Sequence, residues 1–446
     1  MYSLIALLTV TLAHAETPGI TLEDAVQHAH DAPAALAGRD AAAAARAAYN
    51  AAWPSRLPSL SVSGNVLVYD EAQELTLFQS DEPLDCTGIP DPFGSMCASF
   101  GDPIVVREQV TTSLTVQAAV PITGQFAVDR QVAAAKATMR AGEAGAEAAV
   151  SDAELSAQEA WFGAARAENQ LAIAAAQEKS LQERAKVADA ALAAGTLTRN
   201  DQLLVHIGLA QASQAVAQLQ GLVQVTEVQL GAATGNGGSP LRPLGFSEAP
   251  PRPAPELDGL VERALRQRPQ VVALREQVAA AHATAQAASW GRLPGISGIA
   301  AYQHTTGQGA FGSPDTAYVG ASLSWTAFAW GKAAANVHAA SAQADQVQHQ
   351  LEALEAGVRV DVQNRVVALQ TAASSYAIAE DTVAQATENL AIQERRQQAG
   401  NGTMQEVLDA QTALVRAQST RMSALFDARR AEAALAHAIG GDPWGG

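Results

Sequence analysis

Between residues 59 and 69 apolar and polar positions take turns: Leu60, Val62, Gly64, Val66 and Val68 alternate with Ser59, Ser61, Ser63 and Asn65. A period of two predicts a strand. The same alternation returns at 110–120, where Leu114, Val116, Ala118 and Val120 oppose Ser113, Thr115 and Gln117. It appears again at 316–326, with Ala317, Val319, Ala321, Leu323 and Trp325 opposing Tyr318, Gly320, Ser322 and Ser324. These runs predict two strand hairpins, 57–121 with a long polar loop at 70–103, and 293–327. Four strands with one apolar and one small or polar face match the pattern of membrane-spanning strands.

The rest of the chain has helical periodicity. Helix is predicted over 21–53 with a break near Pro33, and over 124–194, 198–234, 257–290, 331–398 and 403–439. A proline-free run of some 70 residues from 124 to 194 makes a helix about 105 Å long at 1.5 Å per residue, too long for a globular domain. It must be a coiled-coil rod or a barrel stave. Helices 198–234 and 257–290 together match its length, and 21–53 supplies the half that 403–439 lacks.

The chain is a tandem duplication. At an offset of 205, Gly195 pairs with Gly400, Thr198 with Thr403, Asp201 with Glu406 and Leu203 with Leu408. Residues 16–235 and 257–446 form the two repeats, joined by a Gly/Pro-rich linker at 236–256. Before Pro121 the offset is 236, and the difference of 31 residues is the loop at 70–103. Surface loops absorb such insertions at little cost. Each glycine turn reverses a helix, with Thr198 and Thr403 as N-caps and Asp201 and Glu406 three residues on, the capping-box spacing.

Composition narrows the classes. A net charge of −17 with no basic cluster argues against a nucleic-acid partner. Only 16% of residues are charged and 5% aromatic, unlike a compact enzyme, and no nucleophile motif, phosphate loop or metal-ligand spacing occurs. His28 and His30, the closest histidine pair, make a weak case for a metal. Residues 1–15 read as a signal peptide ending in Ala13-x-Ala15, so export is expected. Cys86 and Cys97, in an oxidising compartment, are expected to form a disulfide in the loop, worth roughly 3 kcal/mol; two free thiols are the alternative. Without an apolar helix of spanning length, the chain crosses a membrane by strands if at all. Four strands cannot close and open edges are not tolerated in lipid, so three copies giving twelve strands are expected. Trp53, Trp290, Trp325, Phe328 and Trp330, with Tyr69 and Tyr302, are candidates for interfacial belts; ordinary gap filling is the alternative.

This plan of helix, strand hairpin, long helix, glycine turn and split return helix, repeated, resembles the TolC family of trimeric outer-membrane efflux proteins. The residues carrying the resemblance are the turns followed by Asp201-Gln202-Leu203 and Glu406-Val407-Leu408, and the half endings 230–235 and 435–440. The resemblance implies an α+β membrane protein: a homotrimer with a twelve-stranded barrel in outer-membrane lipid, continued by an α-barrel tunnel in the periplasm. It implies two partners, a periplasmic adaptor and an inner-membrane transporter, and no enzyme activity. It places an acidic aperture at Glu406, Asp409 and Asp201, though Glu406 as a plain cap and Asp409 as a solvated residue explain the same types. It places adaptor contacts at Gly195, Thr196, Gly400 and Asn401, which a simple C-cap explains equally. Where family members carry an arginine and a tyrosine that latch the aperture, this chain has Gly402 and Gln397, with Arg199 as a possible substitute. A type I secretion duct is an alternative within the fold. A periplasmic coiled-coil scaffold is the alternative outside it.

Overall fold

The computed structural model describes residues 17–76, 87–90, 103–309 and 312–445. Both cysteines and the signal segment lie outside these residues. In chain order the elements are β1 Gly19–Thr21, α1 Leu22–Ala29, α2 Pro33–Ala52, β2 Ser59–Val68, β3 Gln73–Leu75, β4 Ile104–Arg107, β5 Val110–Pro121, α3 Gln125–Ala193 and α4 Arg199–Ala233. They continue with β6 Arg242–Leu244, α5 Leu260–Gln267, α6 Pro269–Trp290, β7 Gly295–Thr306, β8 Asp315–Ser324, α7 Lys332–Gln398 and α8 Met404–Ile439.

Three expectations need correction. The helix expected over 257–290 is two, because Arg268 precedes Pro269 and adopts an extended ψ of 120°; the proline ring crowds the helical conformation of the residue before it. Arg268 is then held outside the helix by Asp361 on α7, at 2.9 Å. The linker at 236–256 contains β6, which pairs in parallel with β1. The loop at 70–103 contains β3, which pairs with β4.

The chain divides into two compact units, and each takes segments from both sequence repeats. The first comprises the segments up to Ala45, Met139–Gln277 and from Gln348 onward. Its helices are alanine-rich, so most helix contacts bury little area each. An aromatic core is the exception: Trp161 and Phe162 of α3, Leu230 of α4, Tyr376 of α7 and Met422, Leu425 and Phe426 of α8 gather around Ile20 and Leu241. The Trp161 indole donates to the Ile20 carbonyl at 3.0 Å, and Phe246 stacks on Phe426 at 4.3 Å. Fully burying each such side chain is worth about 1.5–3 kcal/mol. The same core therefore fixes the short β1–β6 pair against the long helices.

The second unit, Arg46–Thr138 with Val278–Val347, holds a four-stranded antiparallel sheet in the order β2-β5-β7-β8. Register gathers apolar rows on one face and polar rows on the other, with Thr112, His304, Thr306 and Asp315 as polar exceptions on the first face and Leu67, Ile299 and Tyr318 as apolar or aromatic exceptions on the second. One face carries rows such as Val62-Val116-Tyr302-Ala317 and Leu60-Ala118-Ala300-Val319. The other carries Ser63-Thr115-Gln303-Thr316 and Asn65-Ser113-Thr305. A one-residue slip would exchange the faces. Strands β2 and β8 are the sheet's two free edges, ten residues each and exposed throughout, with Val319 86% exposed. Among the described residues no helix is long and apolar enough to cross a membrane.

The seven aromatic residues expected at an interface all lie in this unit; Tyr69 is half-buried and the other six are exposed, Trp330 by 90%. Trp290 stacks on Phe126 at 5.1 Å, Phe328 meets Trp330 edge-on at 5.0 Å, and the Trp325 indole donates to the Arg292 carbonyl at 3.3 Å.

Candidate aperture and docking turns

The glycine turns belong to the first unit. Helix α3 ends as the Gly195 N–H donates to the Leu192 carbonyl at 3.0 Å and the Thr196 N–H to Ala191 at 2.9 Å. Helix α7 ends the same way, Gly400 to Gln397 at 3.0 Å and Asn401 to Arg396 at 2.9 Å. This is the Schellman arrangement, which satisfies the last carbonyls and requires a left-handed residue. Gly195 and Gly400 have φ of 75° and 74°, and a Cβ on either would meet nothing within 4 Å. Conformation, not crowding within the chain, asks for glycine there.

The next helices start unequally. Thr403 accepts from the Glu406 N–H at 3.3 Å, and the Glu406 carboxylate accepts from the Thr403 N–H at 2.8 Å, a complete capping box. Thr198 accepts from the Asp201 N–H at 3.2 Å, but the Asp201 carboxylate accepts from the Thr198 hydroxyl at 2.6 Å instead of from its N–H. Aspartate is one methylene shorter, and only half of the expected box forms. The Thr403 backbone N–H, with the nearby Arg396 guanidinium, holds the Glu406 carboxyl below the usual glutamate value. The Arg396–Glu406 separation is 3.9 Å, and Arg396 also donates to the Asn401 carbonyl at 3.3 Å. Asp409 accepts from Gln405 at 2.8 Å.

Arg199, the possible latch substitute, donates to Gln202. Its neighbour Gln202 is buried and donates to Asp189 on α3 at 2.6 Å, and His206 meets the same carboxylate oxygen at 2.9 Å. These two bonds, His206 first, keep the Asp189 carboxyl below its usual value. Leu197, Met404 and Leu408 pack together on Ala185, Ala188 and Val205, so residues following both turns share one apolar cluster. Gly402 sits so near the end of α7 that a Cβ would lie 3.0 Å from the Gln397 nitrogen.

Glu406 is partly buried and Asp409 exposed, each with its own partner. His28 and His30 are apart in function: one meets the Asp24 carbonyl at 2.9 Å, the other the Glu154 carboxylate at 2.6 Å. No metal-holding group occurs among the described residues. The sequence reading missed Arg396 and the Gln202–Asp189–His206 group. A signal was available at offset 205, where buried Gln202 aligns with buried Val407.

A family model described as outer membrane efflux protein matches residues 260–441. No curated protein matches the sequence. The structure is similar to that of a membrane protein from Pseudomonas aeruginosa, with TM-score 0.77 and 19% identity over 94% of this chain and 93% of that one. It is similar to the outer membrane protein VceC of Vibrio cholerae, with TM-score 0.75 and 18% identity over 94% and 96%. The open-state MtrE outer membrane channel of Neisseria gonorrhoeae gives TM-score 0.73 and 18% identity over 94% and 89%. At such identities the likeness establishes the fold. The family model for outer membrane efflux proteins thus meets the chain over residues 260–441, and nearly the whole chain is similar in fold to these membrane proteins.

Proposed function

We propose that the protein is the outer-membrane exit channel of a tripartite efflux pump, a homotrimer conducting small solutes passively from an inner-membrane transporter and a periplasmic adaptor. The observation that carries the reading is the sheet: apolar and polar positions mostly sorted to opposite faces, with free edges of equal length at β2 and β8. In lipid such edges must be paired, and the complementary partner for β8 is β2 of another copy. Three copies close twelve strands. Trp290, Trp325, Phe328, Trp330 and Trp53 then serve as interfacial anchors.

The glycine turns are the adaptor-docking tips at Gly195, Thr196, Gly400 and Asn401, and the acids beside them line the aperture. Asp201, Glu406 and Asp409 from three copies favour cations at a constriction. Glu406 both caps α8 and contributes to this field. Single-channel recording in planar bilayers tests the reading: Glu406→Ala combined with Asp409→Ala lowers cation selectivity severalfold. Unchanged conductance and selectivity would remove the aperture role. Recovery of the protein in salt washes, without detergent, would remove the channel itself.

A further inference from the structure

On the polar face of the sheet, where β2 runs out into β3, lies a cleft of about 470 Å³. Tyr69, Arg107, Ser113, Gln303, Thr305 and Gln308 line it. Ser113, Thr305 and Gln303 belong to the polar rows of the register, so the cleft opens on the polar face, which in the channel reading lines the lumen.

Arg107 is held in place by backbone contacts on several sides. It pairs with Gln73 across β3–β4, and the next residue, Glu108, donates its N–H to the Gly307 carbonyl at 2.8 Å. The Tyr69 N–H donates to the Gln109 carbonyl, also at 2.8 Å. Gly309, at φ 66°, lets the β7–β8 connection press against β4: a Cβ there would fall 2.0 Å from the Val105 carbonyl oxygen. The Arg107 guanidinium carbon lies 3.6 Å above the Tyr69 ring centroid, stacking contact. Its Nε is buried with no hydrogen-bond partner among the described residues. A buried donor left unmade is costly, and structures rarely keep one without a role.

A guanidinium held over a ring keeps planar paired donors, the geometry that carboxylates and phosphates accept. Hydroxyls and amides from Ser113, Thr305, Gln303 and Gln308 surround it with neutral donors. We propose that this cleft is a binding subsite for small organic anions, carboxylates or phosphate esters, with Arg107 as the anion-binding group and Tyr69 as its positioning residue. Its placement on the exit path rests on the channel reading; the binding itself does not.

Phenyl phosphate is the probe, with phenol as the uncharged control, titrated calorimetrically into the detergent-solubilised full chain. Phenyl phosphate binds and phenol does not. Arg107→Gln weakens binding at least tenfold, and Arg107→Lys, which keeps charge but loses the fork, falls between. Tyr69→Phe keeps the ring and binds as the parent does, whereas Tyr69→Leu weakens binding. Equal binding by Arg107→Gln and the parent, or by phenol and phenyl phosphate, overturns the site. In planar bilayers phenyl phosphate reduces the current through the parent and not through Arg107→Gln. Retained binding with an unaffected current overturns the placement on the exit path alone, and a protein that binds but conducts nothing overturns the channel reading while leaving the subsite.

Discussion

Gln202, behind the first glycine turn, is buried and bonded to Asp189; in the second repeat Val407 fills the equivalent place. Leu197 packs into the shared apolar cluster, while its counterpart Gly402 lies tight against the end of α7. Arg396 reaches across the second turn to Asn401 and Glu406, and the first turn has Ala191 at that position. The backbone of the two reversals is nearly the same, with matching Schellman bonds and glycine φ angles. Duplication has preserved how the chain turns and released how each turn is fastened. One is fastened sideways to α3 by polar groups, the other to itself by a closed box and an arginine.

The largest test of that difference exchanges the buried residues. Val407→Gln places an amide in an apolar site without partners and destabilises the fold by about 2–3 kcal/mol. The reciprocal Gln202→Val costs only about 1 kcal/mol, because Asp189 keeps His206. Denaturant unfolding monitored by circular dichroism measures both, and equal costs would mean that the two sites are not locally distinct. Next come the caps. Thr403→Ala opens a reciprocal box and costs about 1–2 kcal/mol, while Thr198→Ala, from half a box, costs about 0.5–1 kcal/mol. Gly195→Ala and Gly400→Ala, by contrast, cost the same, about 1 kcal/mol each, since only the left-handed conformation is at stake.

The smallest effect is in pH. The folded-state pKa of Glu406 is depressed, so its capping contribution is complete above the ordinary glutamate value and disappears as pH falls through the depressed one. Midpoints followed from neutral to acid pH therefore converge for the parent and Glu406→Gln at the acid end. Parallel curves would assign the depressed pKa no part in stability.

The strands and long helices were readable because their periods run unbroken for ten to seventy residues, and a repeat at fixed offset checks each reading against another. The β1–β6 pair was not, since three-residue strands carry no period and Ile20 and Leu241 gain their meaning from a core built by Trp161 and Phe426 far along the chain. The break at Arg268 was signalled by Pro269 and passed over because helical residues continue on both sides. At the site, the glycines and capping threonines were legible from local rules. Arg396 and the Gln202–Asp189–His206 group were not, because their partners are chosen by which helix faces lie together, and faces are not written in any one segment.

The seam between β5 and β7 has a consequence for the order of events in folding. The second hairpin pairs near neighbours, such as His304 with Asp315, and the first closes over its long loop, Val68 with Val110, but the seam joins Thr112 to Thr306 and Pro121 to Ser297. Two-stranded hairpins are barely stable alone, and distant pairing is slow. The first hairpin must therefore wait, its apolar face uncovered, while four helices and the linker emerge behind it. A chain built this way has a need that its finished form conceals: until the seam forms, something else must cover its strands.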